Sequence, residues 1–208
     1  MTFTVLARDS ARDRIGAATA SRSLAVGASV IAVEPAVGVV ASQAWTNRTL
    51  RPLLLARMAS GADAPDAVAR VPEWDEQFAL RQVAALAWSG PGAARSGRDV
   101  SDWAGSLVET DAVFVGNLLT GPAVLEAMTS AWRDSAGDDL SDRLLHVMAA
   151  GDAAGGDARG RQSAALLVAT RTDTVVDLRV DDHPAPLTEL ARLRTLAAAP
   201  TEVPAPRS

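Results

Sequence analysis

Apolar and polar residues alternate from the start of the chain. In Thr2 to Arg8, Phe3, Val5 and Ala7 point one way and Thr2, Thr4 and Leu6 the other, the two-residue period of a strand. After a polar turn over Asp9 to Arg14, a second strand is expected from Ile15 to about Ser23. Its residues are almost all small (Gly16, Ala17, Ala18, Thr19, Ala20, Ser21), as where another backbone or a ligand approaches closely. A third run, Val37 to Trp45, reads as a strand buried on both faces. Thr49 is placed to cap a helix through Ala59, with Pro52 in its first turn, and Asp63 with Pro65 opens a second helix ending near Val71.

The period then returns to strand over Phe78 to Trp88, followed by a Gly/Pro turn from Gly90 to Gly97 suited to a hairpin, and by a short strand over Val113 to Leu118. Leu125, Met128 and Trp132 share one face of a helix that starts at Gly121-Pro122. Asp138 and Asp139 start another, carrying Leu140, Leu144 and Met148 and stopping at Gly151. A glycine-rich loop leads into strand Gln162 to Thr170, with Val175 to Val180 as its pairing partner and a last helix from about Pro186 to Ala198. Strands, two helices, strands, two helices, strands, helix: this order predicts an α+β domain over residues 1–198 with antiparallel sheets and helices outside them. Residues 199–208 are Pro-rich and expected to be disordered.

Composition narrows the functions. With 48% hydrophobic and 22% charged residues the 208-residue chain is long enough for one packed core. A net charge of -5 offers no basic stripe for nucleic acid. No apolar stretch approaches a membrane span, and Arg8, Asp9, Arg12, Asp13 and Arg14 break up any leader, so the cytoplasm is the expected compartment. There is no cysteine, and only His146 and His183 could supply imidazole, so neither a metal nor another cofactor is expected. All 20 basic residues are arginine, which rules out lysine chemistry; the absence of tyrosine rules out its phenol.

Several residues could carry chemistry. Removal of Met1 would leave Thr2 with a hydroxyl and a free α-amine of ordinary pKa about 7.7–8.0, able to act as its own general base. Arg22, at the end of the second strand, either lies beside the N-terminus and holds a substrate carboxylate or carbonyl, or reaches into solvent. Gly116-Asn117 is either an oxyanion donor or a strand-exit turn. Asp157, Arg161 and Ser163 form either a site wall or an ion pair closing the loop; with no lysine, the glycine-rich loop is not a phosphate loop. In Asp181-Asp182-His183-Pro184, Asp182 as a helix cap is the plainer account than a metal site.

Longer strings add to this. Met-Thr-Phe-Thr-Val-Leu-Ala-Arg-Asp at the start, Ala-Ser-Arg at 20–22, Ser42-Gln43-Ala44, Asp102-Trp103-Ala104-Gly105, Gly116-Asn117-Leu118-Leu119, Gly155-Gly156-Asp157 with Arg159-Gly160-Arg161-Gln162-Ser163, and Val176 to Pro184 resemble, in order, the bacterial domain of unknown function 1028, an N-terminal-nucleophile-hydrolase-like family. The resemblance covers about residues 1–198 and implies a four-layer αββα sandwich. In the wider superfamily the first residue of the mature chain is the nucleophile of amide hydrolysis, which falls here on Thr2. The leading expectation is therefore an amidohydrolase for a small-molecule amide, with Arg22, Asn117 and Asp157 as catalytic neighbours of Thr2 and Arg161, Ser163, Asp182 and Gln43 in the substrate site. Proteasome-like relatives keep a lysine beside the nucleophile; amidase branches with an arginine there are the better parallel for Arg22. The alternatives are a non-catalytic ligand-binding or assembly module, or an enzyme of this fold that does not use its N-terminus. A homo-oligomer paired through helices is compatible with the fold, and no residue pattern indicates one.

Overall fold

The computed structural model describes residues 2–199. Met1 and nearly all of the Pro-rich tail lie outside the described residues. The chain forms strands β1 (Thr2–Asp9), β2 (Arg14–Ser21), β3 (Ile31–Glu34), β4 (Gly38–Ala44), β5 (Arg81–Ala87), β6 (Ala93–Ser96), β7 (Gly105–Val108), β8 (Ala112–Asn117), β9 (Ser163–Ala169) and β10 (Thr174–Val180). Its helices are α1 (Val26–Ser29), α2 (Leu50–Ala59), α3 (Ala64–Ala69), α4 (Val71–Trp74), α5 (Ala123–Asp134), α6 (Leu140–Ala153) and α7 (Pro186–Ala198). Two antiparallel sheets result, ordered β10-β9-β2-β1-β8-β7 and β3-β4-β5-β6.

Three apolar clusters hold these elements together. On one face of the six-stranded sheet, Phe3, Val5 and Ala7 pack against Leu125 and Met128 of α5, Leu144 and Met148 of α6, and Leu190 of α7. The opposite face, with Leu6, Ile15 and Val113, meets Val39, Ala41 and Leu86 of the four-stranded sheet. The outer face of that second sheet, with Val40 and Val83, is covered by Leu50 and Leu54 of α2 and Val68 of α3. Each fully buried Leu or Phe in these clusters contributes about 1.5–3 kcal/mol.

The small residues of β2 have a structural cause. β2 lies in the middle of its sheet and α6 crosses it, so Ala18 and Ala20 meet the helix. A Cβ on Gly16 would come within 2.4 Å of the Leu167 carbonyl on β9.

Some local expectations needed correction. Phe78 to Leu80 is a 3-10 turn before β5, because Leu80 N–H closes on the Gln77 carbonyl. The Gly90 to Gly97 stretch does close a hairpin, but it also contains β6. Four-residue strands β3, β6 and β7 are edge strands, too short to show a period. Thr49 precedes α2, yet its hydroxyl donates to Asn47 Oδ1 (2.7 Å) and does not cap the helix. Asp63 and Asp139 do cap, accepting from Asp66 N–H (2.8 Å) and Ser141 N–H (2.9 Å). Asp182 is no cap: α7 follows Ala185, whose N–H donates to His183 Nδ1 at 3.0 Å.

Candidate functional site

β1 begins at Thr2 with neighbours on both sides: Phe3 pairs with Ala20 of β2, and Thr2 pairs with Asn117 of β8. Residues 2, 4 and 6 face the second sheet. The Thr2 hydroxyl donates to Ser21 Oγ at 3.3 Å, and Thr2 is 5% exposed in the unprocessed chain. Arg22, the next residue after Ser21, is therefore brought to the N-terminal end of β1.

Behind Thr2 the gap between the sheets is filled by hydrogen-bonded side chains. Thr4 donates to Gln43 Oε1 (2.7 Å), which leaves the Thr19 hydroxyl as donor in its 2.8 Å bond to Thr4. Gln43 Nε2 donates to Gln82 Oε1 (2.7 Å) and to the Thr2 carbonyl (3.3 Å). Asn117 Nδ2 donates to Gln82 Oε1 (3.0 Å) and, at a long 3.5 Å, to the Thr2 carbonyl. Gln82 Nε2 donates to the Gly116 carbonyl (2.8 Å) and Ser96 Oγ (2.8 Å). Gln43, Gln82 and Asn117 are each no more than 1% exposed. Buried amides are tolerated only when their donors and acceptors are met, and the network occupies both the donor and the acceptor end of Gln43 and of Gln82.

Two recesses open beside this network. One, of about 190 Å³, is lined by Ala44, Trp45, Ser101, Asn117, Leu118 and Arg159. Trp45 is 65% exposed there. Ala44 (φ 71°) and Leu118 (φ 53°) are left-handed residues directly after Gln43 and Asn117. Such backbone costs about 1–3 kcal/mol per residue and collects at functional sites. Arg81 holds this wall from behind: it donates to the Trp45 carbonyl (2.5 Å) and is paired with buried Asp75 (2.7 Å). The Arg81 hydrogen bond, with help from Asn47, keeps the Asp75 carboxyl below the ordinary aspartate range.

The second recess, about 370 Å³, is lined by Arg22, Arg161, Gln162, Asp182, His183 and Pro184. Three residues singled out from the sequence thus meet at one place. The carboxylates that serve the loop differ from those expected. Asp157 accepts the backbone N–H groups of Arg22 (2.8 Å) and Arg159 (2.9 Å) and pairs with the Arg159 guanidinium (3.3 Å), not with that of Arg22 or Arg161. Arg161 pairs with Asp152 (2.8 Å), whose carboxyl is pushed up by burial and partly drawn back by Arg161. Ser163 is fully buried; its hydroxyl donates to the Ser23 carbonyl and accepts from Val26 N–H (3.0 Å), anchoring residues 23–26 and lining neither recess.

Gln82, Trp45 and Arg159 were not singled out from the sequence. For Gln82 a signal existed: an amide inside the strand expected over Phe78 to Trp88, directly before the apolar run Val83 to Ala87. Trp45 and Arg159 carried no such mark. Among the described residues no group of three or more His, Asp or Glu gathers as a metal site, and no helix is long and apolar enough to cross a membrane.

A mixed α+β protein with two antiparallel sheets and a polar cleft at one end is thus defined. Residues 2–190 match the model of a family of unknown function, DUF1028, and the chain belongs to that family. It is similar to the crystal structure of protein SPO2555 from Silicibacter pomeroyi, itself assigned to DUF1028, at 33% identity and a TM-score of 0.89, covering 96% of this chain and 90% of that one. No curated protein matches the chain.

Proposed function

We propose that the protein is an amidohydrolase for a small-molecule amide, built on a four-layer αββα sandwich of the N-terminal-nucleophile kind, with Thr2 as nucleophile. The observation that carries this is the position of Thr2: first in β1, its hydroxyl on the inter-sheet face against Ser21 and its backbone opposite Asn117. Three apolar clusters, separating helices, sheet, sheet and helices, support the layered part.

With Met1 removed, the Thr2 α-amine takes the hydroxyl proton as Oγ attacks the amide carbonyl. The tetrahedral oxyanion needs preorganised donors. Asn117 Nδ2 is suited, because its 3.5 Å bond to the Thr2 carbonyl is weak enough to exchange for a stronger one. The amine then protonates the leaving nitrogen, and water releases the acyl group by the reverse route. Arg22 and Arg161 orient the substrate, and Asp157 positions Arg22 through its backbone.

Intact mass and an amide-substrate screen test this together. The expected result is a chain lacking Met1, with turnover that falls at least ~10³-fold in Thr2→Ala, the scale of losing a nucleophile. Full activity in a chain that retains Met1 overturns it. The low exposure of Thr2 favours a second reading, a binding module or an enzyme that does not use its N-terminus; Thr2→Ala would then leave activity intact.

A further inference from the structure

The recess around Arg22 and Asp182 is lined by charges of both signs. Of the arginines at this end of the fold, Arg159 is paired with Asp157 and Arg161 with Asp152. The exposed guanidinium of Arg22 donates to the Arg159 carbonyl at 3.1 Å and is paired with no carboxylate among the described residues. Its main chain is fixed, with the N–H held by Asp157 and Ser21 buried beside it, so this cation has a set origin. In the same lining, exposed Asp182 accepts from the neutral amide of Gln162 (3.1 Å) and from no cation among the described residues. His183 accepts Ala185 N–H at Nδ1, which leaves the proton of its neutral ring on Nε2 as a further donor.

A simple anion would be drawn by Arg22 and repelled by Asp182, and a simple cation the reverse. A ligand with both charges a few bonds apart satisfies both. We infer that this recess binds the zwitterionic head of an α-amino acid, its carboxylate on Arg22 and its ammonium on Asp182. Arg22 follows Ser21, the residue bonded to Thr2, so on the hydrolase reading the substrate is an amide that carries a free amino-acid head. The substrate assignment rests on that reading; the binding site does not.

Titration of the full chain, followed by protein NMR shifts, with L-leucine, N-acetyl-L-leucine and L-leucinamide separates the two charges. Free leucine is expected to bind about tenfold or more tightly than either blocked form, the scale of one charge-assisted contact. Arg22→Gln should erase the preference over leucinamide, and Asp182→Asn the preference over N-acetyl-leucine, each leaving the other preference in place. Equal binding of all three ligands, or no shifts from any, overturns the inference. No turnover is needed, so an inactive protein that binds keeps this site and loses the hydrolase reading. An active protein indifferent to the three ligands does the opposite.

Discussion

The two ends of the gap between the sheets differ in kind. On one end the facing residues are Thr2 and Thr4 of β1, Thr19 and Ser21 of β2, Gln43 of β4, Gln82 of β5 and Asn117 of β8. Two to four residues further along the same faces they become Leu6, Ala17 and Ile15, Ala41 and Val39, Ala84 and Leu86, and Val115 and Val113. Every one of these strands changes from polar to apolar in the same direction, and the registers align the change: Thr4 beside Thr19, Gln43 beside Gln82, Val39 beside Leu86. The apolar end needs only to exclude water. The polar end must match each donor with an acceptor, and mismatches there are costly, so a fold needing stability alone gains little from it.

The largest effect is expected where the polar end is braced. Removing Asp75 strands buried Arg81, the donor that also holds the Trp45 carbonyl, so Asp75→Ala should cost about 3–5 kcal/mol in urea unfolding. Because the Asp75 carboxyl is held below its unfolded value, its contribution is present above about pH 4 and lost as the pH falls through the folded value. Acid titration of stability should therefore be shallower in the variant.

At the apolar end, Leu6→Ala should cost about 2–5 kcal/mol through the cavity it leaves, with activity of the surviving folded protein little changed. At the polar end, Gln82→Ala should cost less, about 1–3 kcal/mol, because it takes the shorter acceptor from the amides of Gln43 and Asn117 and leaves each only the Thr2 carbonyl. On the hydrolase reading it should nevertheless lower turnover more than Leu6→Ala does, since Asn117 loses its 3.0 Å anchor. If the two variants lower turnover equally, the polar end has no special role.

Much of this pattern was legible. The two-residue period of Thr2 to Arg8 marked both faces of β1, and the face with Thr2, Thr4 and Leu6 meets the second sheet. The small residues of β2 signalled close approach, and α6 is what approaches. Arg22, Arg161 and Asp182 were named from three separate segments, and they line one recess. Edge strands β3, β6 and β7 were missed, being too short for a period and, in β7, largely exposed. Trp45 looked like the end of a buried strand, yet it turns outward after left-handed Ala44.

Local pattern alone therefore determined most elements, their buried faces and the absence of cysteine and lysine chemistry, because period and residue type act over a few neighbouring positions. Tertiary structure alone decided the partners: that Asp157 holds Arg22 by its backbone, that Asp152 takes Arg161, and that Gln82 joins Gln43 to Asn117. Those pairings span from 9 residues (Arg161 to Asp152) to 135 residues (Arg22 to Asp157) of chain, and side-chain charge is the same whichever neighbour it meets. Only the folded register, which sets strand ends side by side, selects among them.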